Sequence, residues 1–221
     1  MSLITVAGLP LLAGRLTLPP VGRWVLSADL DGDTPPEGAV EVAQGNVRLV
    51  GAVHAAAAVA GTVRIVAVGG SGGLARELPA RSYQGVTARA IVEDLLAAAG
   101  ERLDAASTRG VLSVTLPYWT RAGGRDGRAG ASLTRLAEHL NARWRVLPAG
   151  SVWVGRDTWP ATPDEYRALE LDRDGASRWV LLAPDDIGLF PGVSFRGERV
   201  GRVEHVVTRD GPLRTTYWID S

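Results

Sequence analysis

The residues of this chain that would do chemistry are few, and their spacing decides most cases. Asp29, Asp31 and Asp33 alternate in Asp-Leu-Asp-Gly-Asp-Thr-Pro-Pro-Glu-Gly as the first ligands of a calcium loop do. Such a loop needs glycine at its sixth position and glutamate at its twelfth. Thr34 and Val40 stand there instead, and Pro35-Pro36 stiffens the middle, so the stretch reads as a solvated turn. Gly70, Gly72 and Ala75 fit the GxGxxA spacing of a dinucleotide loop. Phosphate binding needs a helix start directly after those glycines, but Arg76-Glu77-Leu78-Pro79 is too short to supply one. The glycines are expected to carry the chain through a crowded turn.

Acyl-transfer and metal chemistry fare no better. Gly192-Val193-Ser194-Phe195-Arg196 lacks the second glycine of a nucleophile elbow. His205, beside Glu204 in an alternating run, reads as a satisfied strand histidine. His54, His139 and His205 are the only histidines and are too scattered for a zinc site, and the chain has no cysteine. Glu93, Asp94, Asp164 and Glu165 are acids that would have to converge for glycoside hydrolysis, and nothing favours any pair. Arg121, Arg125 and Arg128 form the clearest basic cluster, on a Gly-rich stretch with Trp119 nearby. That reads as a mobile hairpin tip rather than a nucleic-acid stripe. No catalytic, cofactor-binding or metal-ligating residue is assigned.

Composition points the same way. The 221 residues are 46% hydrophobic, which at this length allows a buried core. Basic and acidic residues balance at 24 each, so no net field draws the chain to nucleic acid. Every basic residue is arginine, as GC-rich coding bias gives; the alternative reading is that its planar fork suits subunit contacts. The N-terminal stretch is broken by Gly, Pro and Arg, so neither signal peptide nor membrane anchor is expected. Trp24, Trp119, Trp144, Trp153, Trp159, Trp179 and Trp218 are expected mostly in the core, with one or two anchoring subunit contacts.

The elements that must position these residues are mainly strands. Leu3–Ala7, Arg15–Leu18, Arg23–Leu30, Ala39–Val42, Val47–His54 and Thr62–Val68 are short β-prone runs separated by Gly and Pro. Thr87 caps a helix over Ala88–Ala99, where Ile91, Val92, Leu95, Leu96 and Ala99 form one stripe and Gly100 ends it. Val111–Trp119 alternates as a strand. Ser132 is placed as the cap of a second helix, over 133–141. Trp144–Leu147 and Ser151–Val154 form a hairpin, and Arg178–Leu182, Gly192–Phe195, Arg199–Thr208 and Leu213–Ile219 return to strands. The expected class is mainly β with two or three short helices (α+β). Its expected units are an N-terminal β-barrel at 1–85, a helix and connector at 86–110, and a second barrel at 111–221.

Three stretches carry a resemblance. Gly69–Leu74, Tyr83 and the helix running from Val86 to Gly100-Glu101 form the first. Ser132–Ala137, with Trp144-Arg145-Val146 and Gly150–Val154, is the second. Phe190-Pro191-Gly192, Val203-Glu204-His205 and Leu213-Arg214-Thr215 form the third. Together they resemble the bacteriophage tail hub, or baseplate hub, family and the hub part of type VI secretion spike proteins. The resemblance implies two small barrels per subunit and a homotrimer forming a pseudo-sixfold ring. It also implies a structural virion protein joining the tail tube to the spike or tip, assembled in the host cytoplasm and lacking enzymatic activity. Implied partners are the tail tube or distal tail protein, the spike and the tape measure protein, with DNA passing only transiently through the lumen. Edge strands and tryptophans would do the joining. The alternatives are a monomeric β module binding glycan or oligonucleotide, and a tail-associated cell-wall hydrolase.

Overall fold

The computed structural model describes residues 3–163, 166–172 and 178–220. It is mainly β with three α-helices among the described residues, as the sequence led us to expect. The first six strands are β1 (Thr5–Val6), β2 (Leu9–Leu18), β3 (Val25–Asp31), β4 (Ala39–Gln44), β5 (Val47–Val59) and β6 (Thr62–Gly69). All pair antiparallel, in the order β1-β4-β5-β6-β3-β2, and β1 pairs β2 as well, so the sheet closes into a six-stranded barrel. Closure removes the free edges that an open sheet would leave.

Alternation writes this barrel. In β3, Leu26, Ala28 and Leu30 are buried while Val25 and Ser27 face out, and Trp24 just before it is buried too. Gly51 and Gly69 are register partners across β5 and β6, and the Trp24 indole lies over them. A Cβ on either glycine would come within 2.6 Å of that ring. The strand glycines therefore make room for an aromatic side chain at the barrel end. β5 extends five residues past the expected end at His54 because its alanines pair with β6, a case where tertiary pairing overrides alanine's weak strand preference.

The chain then leaves the barrel. β7 (Arg81–Thr87) and β8 (Thr115–Arg121) form a two-stranded sheet, and α1 (Ala88–Ala99) follows β7. The Thr87 hydroxyl accepts the Ala90 amide at 3.3 Å, and Gly100 stops the helix at φ 76°, both as read from the sequence. The expected strand at Val111–Trp119 begins only at Thr115. Before it, α2 (Arg109–Leu112) makes one turn that buries Val111 and Leu112 side by side, which an alternating strand cannot do.

The second helix also needs correction. It is α3 (Ala129–His139), starting before Ser132, which is buried inside it and caps nothing. Nor is the Arg121–Gly130 stretch a hairpin tip. Arg121 ends β8 with its side chain buried, a 3₁₀ turn covers Gly124–Gly127, and α3 begins at Ala129. Gly127 faces the carbonyls of Leu78 and Ala122 so closely that no side chain would fit there.

β9 (Arg143–Val146) and β10 (Val152–Gly155) form the expected hairpin. The remaining strands are β11 (Arg167–Asp172), β12 (Trp179–Ala183), β13 (Ser194–Phe195), β14 (Glu198–Val207) and β15 (Arg214–Ile219). β14 pairs with the second half of β2, so the hydrogen-bonded sheet runs from the barrel through β14, β15 and β12 to β11. The buried apolar residues, from Ile4 to Tyr217, form one continuous core. Among the described residues no helix is long and apolar enough to cross a membrane.

Candidate functional site

Several of the residues with chemical potential are tied into separate local structure. Asp29 pairs with Arg64 at 3.0 Å on neighbouring strands. Ser194 donates to the Trp159 carbonyl at 3.1 Å and does not meet His205. The His205 ring is buried, with Nε2 3.2 Å from the Leu189 carbonyl and Nδ1 2.6 Å from the Thr215 hydroxyl. A carbonyl only accepts, so Nε2 carries the proton and Nδ1 accepts from Thr215, giving one neutral tautomer. Burial lowers its pKa to about 4, although the Leu189 bond and the charge of Asp186 pull the other way. Among the described residues no group of three His, Asp or Glu side chains is arranged to hold a metal. Asp164 and Glu165 lie outside the described residues.

The glycine loop has an occupant of its own. The backbone amides of Ser71 and Gly73 donate to the two carboxylate oxygens of Glu101 at 2.9 and 2.8 Å. Gly70 and Gly72 adopt φ of 82° and 83°, which turns successive amides toward one point. The concavity that resembled a phosphate cradle is thus an anion nest filled by the carboxylate that follows α1. Gly73 packs against the Ala99 carbonyl at the end of that helix, so the nest fastens α1 to the barrel.

A second network fastens α1 to the β7–β8 sheet. Tyr83 donates to Asp94 at 2.6 Å, and Arg81 and Arg121 pair with the same carboxylate. Burial, with the Asp94 hydrogen bond, raises the Tyr83 pKa to about 12. Asp94, which lies outside the apolar stripe of α1, therefore turns back onto β7. Arg121, Arg125 and Arg128 do not form a basic cluster, because Arg121 is buried against Asp94 and the Pro79 carbonyl and Arg128 reaches Glu77.

None of the seven tryptophans is exposed. Trp24, Trp144 and Trp153 are buried, Trp119 leans on His139, and arginines cover Trp159 and Trp218. The exposed large apolar side chains lie elsewhere. Tyr118 on β8 is 59% exposed, and Leu169 and Leu171 project from β11, the last strand of the sheet path. The distal half of β5 runs past β4, leaving Ala55–Val59 paired only on the β6 side. No charged side chain guards that stretch.

One concave site combines apolar walls with charged side chains, and the sequence reading missed it. A cleft of about 340 Å³ opens where the barrel end, the β9–β10 hairpin and the segment before β13 meet. Pro19, Pro148, Trp153, Phe190 and Val193 give it apolar walls, with Arg145, Arg156 and Asp157 as its charged lining. Arg145 stacks on the Trp153 ring at 4.3 Å and hydrogen-bonds to the buried Asp157 carboxylate. The signal was Arg143-Trp144-Arg145, where alternation buries the tryptophan and turns both arginines to the other face of β9.

Neither a family model nor a curated protein matches the chain in sequence. Solved structures do match its shape. A tail protein from Neisseria meningitidis MC58 is 11% identical with a TM-score of 0.70, covering 99% of this chain and 96% of that one. The 43 kDa tail protein of prophage MuSo2 from Shewanella oneidensis is 10% identical with a TM-score of 0.68, over 99% and 97% of the two chains. An E. coli component of the type VI secretion system, itself structurally similar to the T4 bacteriophage tail proteins gp27 and gp5, is 11% identical. Its TM-score is 0.65, over 98% of this chain and 76% of that chain. The chain thus has the fold of phage tail proteins and of their type VI secretion counterpart.

Proposed function

We propose that this chain is a structural subunit of a bacteriophage tail, acting as the hub of its tip or baseplate and joining the tail tube to the spike. The observation that carries the reading is the extent of the likeness: nearly the whole chain superposes on nearly the whole of two tail proteins. The side chains support it. Glu101 with the glycine loop, Asp94 and His205 are spent on holding elements together, and a joining role needs only shape and surface. In this reading residues 1–85 and 111–221 are two barrel-like units, with 86–110 between them, and three subunits alternate them around a pseudo-sixfold lumen. Partners are other tail proteins: the tube or distal tail protein, the spike and the tape measure protein.

Negative-stain images of the purified protein test this. Rings with a central hole and threefold averages are expected. Compact single-subunit particles at micromolar concentration would overturn the hub role.

A further inference from the structure

The cleft beside Arg145 has more buried donors than acceptors. Nη1 of Arg145 and Nη1 of Arg143, on the same face of β9, are buried with no hydrogen-bond partner, against a single unpartnered acceptor, Oδ2 of Asp157. The carboxylate between them is Asp157, which bonds Arg145 and lies 3.7 Å from Arg143, whose other nitrogen reaches Asp220 at 2.8 Å. Arg156 spends its guanidinium on the carbonyls of Leu140 and Asn141 and meets no carboxylate among the described residues. The cleft lining therefore carries two guanidinium groups against one carboxylate. Buried donors of this kind are rare in native structures unless something else supplies the acceptor.

The backbone around the cleft is held under strain. Trp159 adopts φ 53°, a conformation costly for a bulky residue, in the loop between Asp157 and Pro160 that walls the cleft. The ring is gripped by the guanidinium groups of Arg143 and Arg199, and its carbonyl by Ser194. These contacts hold Trp159 in that conformation beside the cleft-lining residues Thr158 and Pro160.

We propose that the cleft binds a peptide segment of a partner protein in which an apolar side chain stands next to a carboxylate. The apolar side chain fills the slot between Pro19, Trp153, Phe190 and Val193, and the carboxylate supplies the missing acceptor at Arg145. The volume suits one or two side chains and is far too small for a folded element. Only the naming of the partner as a tail protein rests on the hub reading; the recognition chemistry stands apart from it.

The probes are acetyl-Leu-Asp-amide, its Asn counterpart, and free 3-phenylpropionate, titrated while tryptophan indole N–H resonances are followed by NMR. The Asp peptide is expected to bind with a Kd on the order of millimolar and the Asn peptide about tenfold more weakly. Arg145→Gln should erase that difference. Because Arg145 also packs on Trp153, Thr158→Glu, at an exposed lining position outside the apolar slot, serves as the second variant: a fixed negative charge there should weaken the Asp peptide and spare the Asn peptide. Equal affinity of the two peptides, or no binding by either, would overturn the proposal. So would binding of 3-phenylpropionate alone, which would make the site one for a small acid. Particle mass plays no part in these outcomes, so the cleft and the hub reading fail independently.

Discussion

Glu101 Oε1 accepts the backbone amide of Gly73 at 2.8 Å, and through that bond the end of α1 is fixed to the loop leaving the barrel. The second oxygen holds Ser71 in the same way. Glu101→Ala leaves two amides without their charged acceptor. It should lower unfolding free energy by about 2–3 kcal/mol, measured by urea denaturation. A loss within error would mean that water replaces the carboxylate at no cost.

His205 makes stability depend on pH in a stated direction. Its folded pKa of about 4 lies below the unfolded value of 6.5, so between these values the unfolded chain binds the extra proton. Its contribution is complete above pH 6.5 and fades as pH falls toward 4, with about 2 kcal/mol lost by pH 5. Urea midpoints at pH 7 and 5 should fall further apart for the natural chain than for His205→Gln. Equal drops would remove the histidine from the account.

At the barrel end, Gly51→Ala pushes a methyl group into the Trp24 ring and the Val68 carbonyl. Overpacking of that kind costs about 1–3 kcal/mol. Gly110→Ala in the α2 turn meets open space and should be neutral or slightly stabilising. Thermal unfolding of the two variants separates them, and similar melting temperatures would contradict the role given to the Gly51–Gly69 pair.

The Asp94 network should be asymmetric. Tyr83→Phe removes one hydrogen bond and costs about 1 kcal/mol, whereas Asp94→Ala also strands the buried Arg121 and costs about 3 kcal/mol. Denaturant titration of both variants checks the ordering. Equal losses would show that Arg121 finds other acceptors.

Much of the fold was legible because the barrel strands and α1 bury one face each. Leu26, Ala28 and Leu30 announce β3, and Thr87 and Gly100 bracket α1 to the residue. Where burial does not alternate, the signal fails. β7 buries Tyr83 and half-buries Val86, while β11 carries a bulge between Ala168 and Glu170, so neither strand was read. Ser132 looked like a cap because serine favours that place, yet the helix starts earlier, where Gly127 packs tightly on carbonyls that a local pattern cannot reveal. The glycine loop was read as a crowded turn, but its carboxylate occupant lies about thirty residues on, beyond the reach of a local pattern. The Arg145 cleft joins β9 to segments before β13 and was invisible for the same reason: only the folded chain brings them together.

The assembly claim meets its most direct test in the mass of the purified protein in solution, measured by sedimentation equilibrium over a range of concentrations. The account predicts a species of three times the chain mass that persists on dilution. A single-chain mass throughout would contradict it.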